Sequence, residues 1–145
     1  MKDEFKQYLE LVKAPEVVIK RAEVIYEFYK NLFGEGLEMF VSETTTDDGQ
    51  RHYRALWFFS KQACMEAKDF IGRDNFDFAL ISKSIDYWEI MNQEYDFKKV
   101  TDKSRMHLVF RLKSGVQAEL NASKENCDSL RDVFKKYILV NLHGT

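Results

Sequence analysis

The chain has 145 residues, of which 45% are apolar and 32% charged, so it carries enough hydrophobic material for a buried core and falls outside the range of disordered sequences. Its 22 basic and 24 acidic side chains leave a net charge of -2, which argues against a nucleic-acid binder resting on a basic surface. One Pro and six Gly leave little room for linkers, and the length suits one domain.

Residues 3–33 read as helix broken once. Phe5, Tyr8, Leu9 and Val12 recur at helical spacing. Pro15, which has no amide hydrogen and collides with the preceding turn, then stops and restarts the helix. Val17, Val18, Ala22, Val24, Ile25, Phe28, Tyr29, Leu32 and Phe33 follow, mostly along one stripe, and Gly34-Glu35-Gly36 ends the segment. The stripe is expected to pack on its own domain, with part of it left as a candidate homodimer or partner surface.

From residue 37 the period changes to that of strands. Residues 38–44 favour β structure and lead into Thr45-Thr46-Asp47-Asp48-Gly49-Gln50, where the Asp-Gly step signals a hairpin. On the return strand, 51–60, Arg51, Tyr53, Ala55, Trp57 and Phe59 are expected on one face, and His52, Arg54, Leu56 and Phe58 on the other. Residues 62–70 fit helix or strand, with the reading placed on strand. Arg73-Asp74-Asn75 reads as a turn before an extended segment holding Phe76, Phe78, Leu80 and Ile81. Residues 85–90 form the next strand, Tyr95 and Phe97 sit on a short further one, and 98–103 read as a polar loop. Met106, Leu108, Phe110 and Leu112 alternate with polar or smaller neighbours, Ser114-Gly115 turns the chain, and Val116, Ala118, Leu120 and Ala122 alternate on the way back. Ser123 is expected to cap a last helix that carries Cys127, Leu130, Val133, Phe134, Tyr137 and Ile138 on its apolar side.

Few residues suggest chemistry. His52, His107 and His143 show no ligand spacing, and no metal or cofactor is implied. Asp74-Asn75-Phe76-Asp77 lacks the glycine and distal Glu of a calcium loop. Neither a nucleophile elbow nor a phosphate-binding glycine loop occurs, so no catalytic residue is assigned and the chain is not expected to be an enzyme. Cys64 and Cys127 have no CxxC spacing and read as reduced thiols. The opening residues are too polar for a secretory signal and no stretch reaches the ~18 apolar residues of a membrane span, so the expected compartment is the cytoplasm. Lys98, Lys99, Lys103 and Arg105 form one basic segment that could contact an anion or an acidic partner. Trp57, Tyr87 and Trp88 are core anchors or, if open to solvent, a binding surface or pocket lining.

A strand hairpin over 106–122 followed at once by the amphipathic segment 127–138 resembles the ending of pleckstrin-homology-like domains. The resemblance spans about residues 37–141. It implies an α+β fold in which a helix caps a bent antiparallel sheet, or partly open barrel, of six to seven strands. Residues 1–36 would then be a helical extension packed on a compact unit of 37–145. Phosphoinositide-binding members of that family carry Lys and Arg in the first hairpin loop. Here that loop holds Asp47 and Asp48, with only Arg51 and Arg54 nearby, so a lipid-headgroup role there is not expected. The function expected is a non-catalytic protein-interaction module. The alternative is a small-ligand binder or minor enzyme with a pocket between sheet and helix.

Overall fold

Pro15 divides the N-terminal helix as its missing amide requires. A computed structural model describes residues 2–61, 63–72, 77–82, 85–96 and 101–139, excepting the side chains of 77–82, 86–88, 91–96 and 101–104. In it α1 (Asp3–Leu11) ends short of the proline and α2 (Glu16–Phe33) starts just after it, with the Val18 and Ile19 amides donating to the Pro15 carbonyl at 2.9 and 3.1 Å. The break leaves the Val12 carbonyl, at the end of α1, for groups outside the helix.

Seven strands follow among the described residues: β1 (Glu38–Thr45), β2 (Arg51–Phe59), β3 (Ala63–Lys68), β4 (Asp77–Ser82), β5 (Ile85–Asp96), β6 (Thr101–Leu112) and β7 (Gln117–Ser123). They form two antiparallel sheets, ordered β1-β2-β3-β4 and β5-β6-β7, rather than one closed barrel. Both expected hairpins are present. Gly49 and Gly115 adopt φ of +87° and +91° in the turns after β1 and after β6, a conformation that costs glycine nothing. Residues 63–68 are strand.

The chain departs from the sequence expectations at four places. Tyr95 belongs to one long β5, and 101–103 belong to β6, because the β5–β6 ladder continues to the Asp96–Thr101 pair. Phe97 and the turn at 73–75 lie outside the described residues. On β2 the strict alternation fails, because the register skips Arg54 between the pairs Ser42–Ala55 and Glu43–Tyr53. One extra residue reverses the faces, so Tyr53 joins Leu56 and Phe58 while Ala55, Trp57 and Phe59 face the other way. Ser123 does not cap the last helix. It ends β7, and α3 (Asn126–Val133) begins after Glu125 and runs into a π-helical turn, Phe134–Leu139.

The first sheet is covered on both faces, which is why residues 55–59 of β2 are all buried. Phe40, Ala55, Trp57, Phe59 and Cys64 face β6, β7 and α3, meeting Leu108, Phe110, Leu120, Leu130 and Ile138. Met39, Val41, Leu56, Phe58 and Met65 face the helices, meeting Phe5, Leu9, Val18, Ala22, Ile25, Tyr26 and Tyr29. The order of layers is therefore helices, first sheet, then second sheet with α3.

β1 approaches β7 without a continuous ladder. The Asn121 amide donates to Ser42 Oγ at 2.9 Å, and the Ser123 amide donates to both carboxylate oxygens of Glu43 at 3.0 Å. Side chains thus take the place of the backbone acceptors that would have merged the sheets.

Candidate functional site

Among the described residues, several apolar side chains on the outward side of α2 are exposed. Val18, Ala22, Ile25, Tyr26 and Tyr29 turn inward and are buried. Val17, Val24 and Leu32 are 51%, 66% and 57% exposed, with Phe28 at 37% and Phe33 at 42%. At 100° per residue, Val17, Val24, Phe28 and Leu32 lie within about 80° of one another, an apolar strip interrupted by Arg21. The helix therefore has two apolar sides, of which the sheet uses one. Apolar residues exposed singly need no explanation; here several share one side of a single helix.

The seat of that helix layer is defined by polar bonds around β1. Arg51 stands at the start of β2, its side chain about nine-tenths buried, opposite the fully buried Glu43. Its Nε donates to Glu43 Oε1 at 2.9 Å, and its Nη1 donates to Glu125 Oε1 at 2.6 Å and to the Val12 carbonyl at 2.7 Å. Its Nη2 donates to the Ser123 carbonyl at 2.8 Å. Tyr53 adds a second donor to the Val12 carbonyl at 2.9 Å. The carbonyl at the helix end, which lacked a donor within the helix, thus receives a cation and a hydroxyl, the pairing its dipole favours. Ser123 Oγ also donates to Glu43, so the buried carboxylate is held from three sides. Burial alone would lower the Arg51 pKa, but the carboxylates of Glu125 and Glu43 outweigh it and raise it. Burial likewise pushes Glu125 up, yet its hydrogen bond from Arg51 prevails and holds its carboxyl below the ordinary range.

A neutral bridge lies beside the charged one. Tyr8 donates to Asn126 Oδ1 at 2.7 Å and accepts the Val41 amide at 2.9 Å, while Asn126 Nδ2 donates to the Val41 carbonyl at 2.9 Å. Both peptide groups that Val41 presents toward β7 are satisfied by side chains from the two ends of the chain. Burial raises the Tyr8 hydroxyl far above the ordinary tyrosine range, so it stays protonated.

The residues singled out from sequence are scattered. Trp57 is fully buried, stacked on Phe59 at 5.7 Å and tilted against Phe110 at 5.9 Å, so it is a core anchor. Its indole Nε1 meets no acceptor among the described residues. Tyr87 and Trp88 lie on β5 across from Arg111 and Phe110, with side chains outside the description. Lys98 and Lys99 are outside it altogether, and Lys103 is placed only as a backbone position on β6. Arg105 is half-exposed and reaches Asp47 at 3.5 Å. Of the basic segment, the structure brings Arg105 to the acidic hairpin loop. Arg51, the nearest cation to that loop on its own hairpin, is turned inward, and Arg54 donates to Thr44 Oγ1 at 3.1 Å.

Neither cysteine is poised for chemistry. Both thiols are buried, and burial pushes Cys127 up to about 12, with Glu43 adding to the effect. Among the described residues, no three His, Cys, Asp or Glu side chains gather into a cluster that could hold a metal, and no helix is long and apolar enough to cross a membrane. One cleft of about 370 Å³ lies between α1, the start of β1 and α3, lined by Phe5, Leu37, Val133 and Tyr137 with Glu4, Glu38 and Asp132. Another, of about 440 Å³, opens between the sheets beside Arg54, Glu66, Lys68 and Glu119. Burial raises the Glu66 carboxyl there, with Lys68 opposing it at 3.7 Å. Trp57 lines neither cleft.

The sequence reading found the apolar richness of α2 but could not divide it into two sides. It missed Arg51, Glu43 and Tyr8 as a connected set, because their partners lie up to 118 residues away. No family model matches this chain, and no curated protein or solved structure matches it.

Proposed function

We propose that this chain is a non-catalytic, cytoplasmic protein-interaction module of pleckstrin-homology-like architecture, and that its binding surface is the outward face of α2. The observation that carries the reading is the exposure of Val17, Val24 and Leu32 on a helix whose other side packs on the sheet. A sheet of four strands followed by one of three, with a helix directly after the last strand, supports the architectural part. The buried thiols suit a reducing compartment. The inward commitment of Arg51 and the acids of the first hairpin loop weigh against a phosphoinositide headgroup there. Burial of Trp57 in the inner core weighs against a ligand pocket lined by it.

Site-directed photo-crosslinking in the native host tests the surface. A photoreactive residue at Val24 is expected to yield a discrete protein adduct, whereas the same residue at Gln50, exposed in the first hairpin loop, is not. No adduct at Val24, or equal adducts from both positions, would overturn the reading.

A further inference from the structure

The inner face of the first sheet changes from apolar to charged at one end. Cys64, in the core with Trp57 and Phe59, is followed on the same face of β3 by Glu66 and then by Lys68. The register sets Glu66 opposite Trp57 and Lys68 opposite Ala55 on β2. The cleft between the first sheet and β7 opens here, and its volume of about 440 Å³ is that of a small-molecule site. Glu66, next to the core, has a side chain only 10% exposed, against 61% for Lys68. Arg54 stands exposed on the β2 wall of the same cleft. It is the extra residue of the β2 bulge, and the Asp69 amide donates to its carbonyl at 3.1 Å. Bulges of this kind re-aim a side chain and recur beside binding sites.

Charges of both signs are left under-used in this cleft. The Glu66 carboxylate has one partner among the described residues, Lys68 Nζ at 3.7 Å, which is beyond hydrogen-bond distance. A carboxylate kept from water and paired so loosely is costly to ionise, and burial raises its pKa. Arg54 donates from Nε to Thr44 Oγ1 at 3.1 Å, while its two Nη groups meet no acceptor among the described residues. A simple cation would answer Glu66 and leave Arg54 idle. A simple anion would answer Arg54 and meet Glu66, Asp69 and Glu119 as like charges. A molecule that carries both signs answers both.

We infer that this cleft binds a small zwitterion of the α-amino acid class, with its ammonium on Glu66 and its carboxylate on the Arg54 fork and Lys68. The ammonium supplies the short N–H···O bonds that Lys68 does not make, and a guanidinium matches a carboxylate in bidentate geometry. Ser42, Thr44, Ala118 and Asn121 complete the walls. These are small or polar, so a small or polar amino acid fits better than a bulky apolar one. The site lies on the face of the sheet turned away from α2, and it stands or falls independently of the α2 surface.

Titration of the full chain with glycine, L-serine and L-glutamine, followed by backbone amide chemical shifts, is the test. At least one is expected to bind with a Kd of about 0.1–10 mM, the range for so few ligand atoms in an open cleft. It should shift the amides of Glu66, Lys68 and Ala118 but not those of Phe5 or Val133, which line the other cleft. N-acetylation of that amino acid removes the ammonium and amidation removes the carboxylate, and each is expected to weaken binding at least ~10-fold. Glu66→Gln, which keeps the side-chain shape, and Arg54→Met are expected to do the same. The capped amino acids probe the same contacts on the wild-type chain, so the inference stays refutable even if a variant fails to fold. No shift at these amides with any of the three amino acids up to ~50 mM would overturn it. So would a capped amino acid that binds as tightly as the free one, or binding unchanged in a folded Glu66→Gln chain.

Discussion

The two faces of the first sheet are covered in different ways. On the inner face Trp57, Phe59, Phe110, Leu108 and Leu130 meet through apolar contact and ring stacking, and the polar bonds to the second sheet are confined to the β1 edge, where Ser42 and Glu43 meet Asn121 and Ser123. On the outer face the apolar contact is as extensive, yet the helices are also tied down by named bonds. Tyr8 and Asn126 clasp Val41, Arg51 and Tyr53 hold the end of α1, Arg21 donates to the Phe70 carbonyl at 3.2 Å, and Tyr29 donates to the Glu66 carbonyl at 3.2 Å. Apolar contact is non-directional and tolerates sliding, whereas these bonds admit one seat for the helices. The difference matters for α2, because a surface can present Val17, Val24 and Phe28 in fixed array only if the helix beneath them cannot shift.

The comparison breaks most visibly if the helical layer is removed. Deleting residues 1–36 bares Met39, Val41, Leu56, Phe58, Met65 and Phe70. The remaining chain is expected to aggregate and to lose its cooperative urea transition. A soluble, cooperatively folding fragment would show the inner layer to be self-sufficient. Next in size is Arg51→Met, which strands the buried Glu43 carboxylate without its cation. Urea denaturation should report a loss of about 3–5 kcal/mol, and a loss below about 1 kcal/mol would show that the bonds around Glu43 do not define the seat.

Smaller effects sharpen the picture. Tyr8→Phe keeps the ring and removes the hydroxyl that accepts the Val41 amide and donates to Asn126, for an expected cost of about 1–3 kcal/mol. Hydrogen exchange should show faster opening at Val41 than at Phe110, because only the outer clasp is cut. The smallest effect is with pH. Glu125 has a folded pKa held below its unfolded value, so its contribution is present above about 4.3, the ordinary glutamate value, and is lost as pH falls through the lower folded value. Glu125→Gln should therefore flatten the acid limb of the stability curve, and an unchanged limb would separate Glu125 from the network.

What could be read from residues alone follows the range of the forces involved. The helix break at Pro15, the turns at Gly49 and Gly115 and the alternation of β6 with β7 depend on neighbours within a few positions, and these features are legible in the sequence. The extra residue at Arg54 is not, because either parity of β2 offers apolar side chains to both faces of a sheet that is buried on both. Ser123 looks like a helix cap beside Glu125, yet the carboxylate that claims it is 80 residues away on β1. The sides of α2 were hidden for a related reason: periodicity shows that Val24 and Ile25 are apolar, but only the sheet's position decides which of them it covers. Lys98 and Lys99 stand out as charges in the sequence and lie outside the described residues.

The clasp on Val41 also orders events in time. Tyr8 and Asn126 are 118 residues apart, and the Arg51 knot closes only when Glu125 has arrived. A chain emerging from the ribosome N-terminus first makes α1 and α2 early but cannot seat them until Glu125 and Asn126 have been synthesised. Through that interval both sides of α2 are bare, and a nascent chain stalled before residue 125 should be far more prone to chaperone capture than one stalled after it.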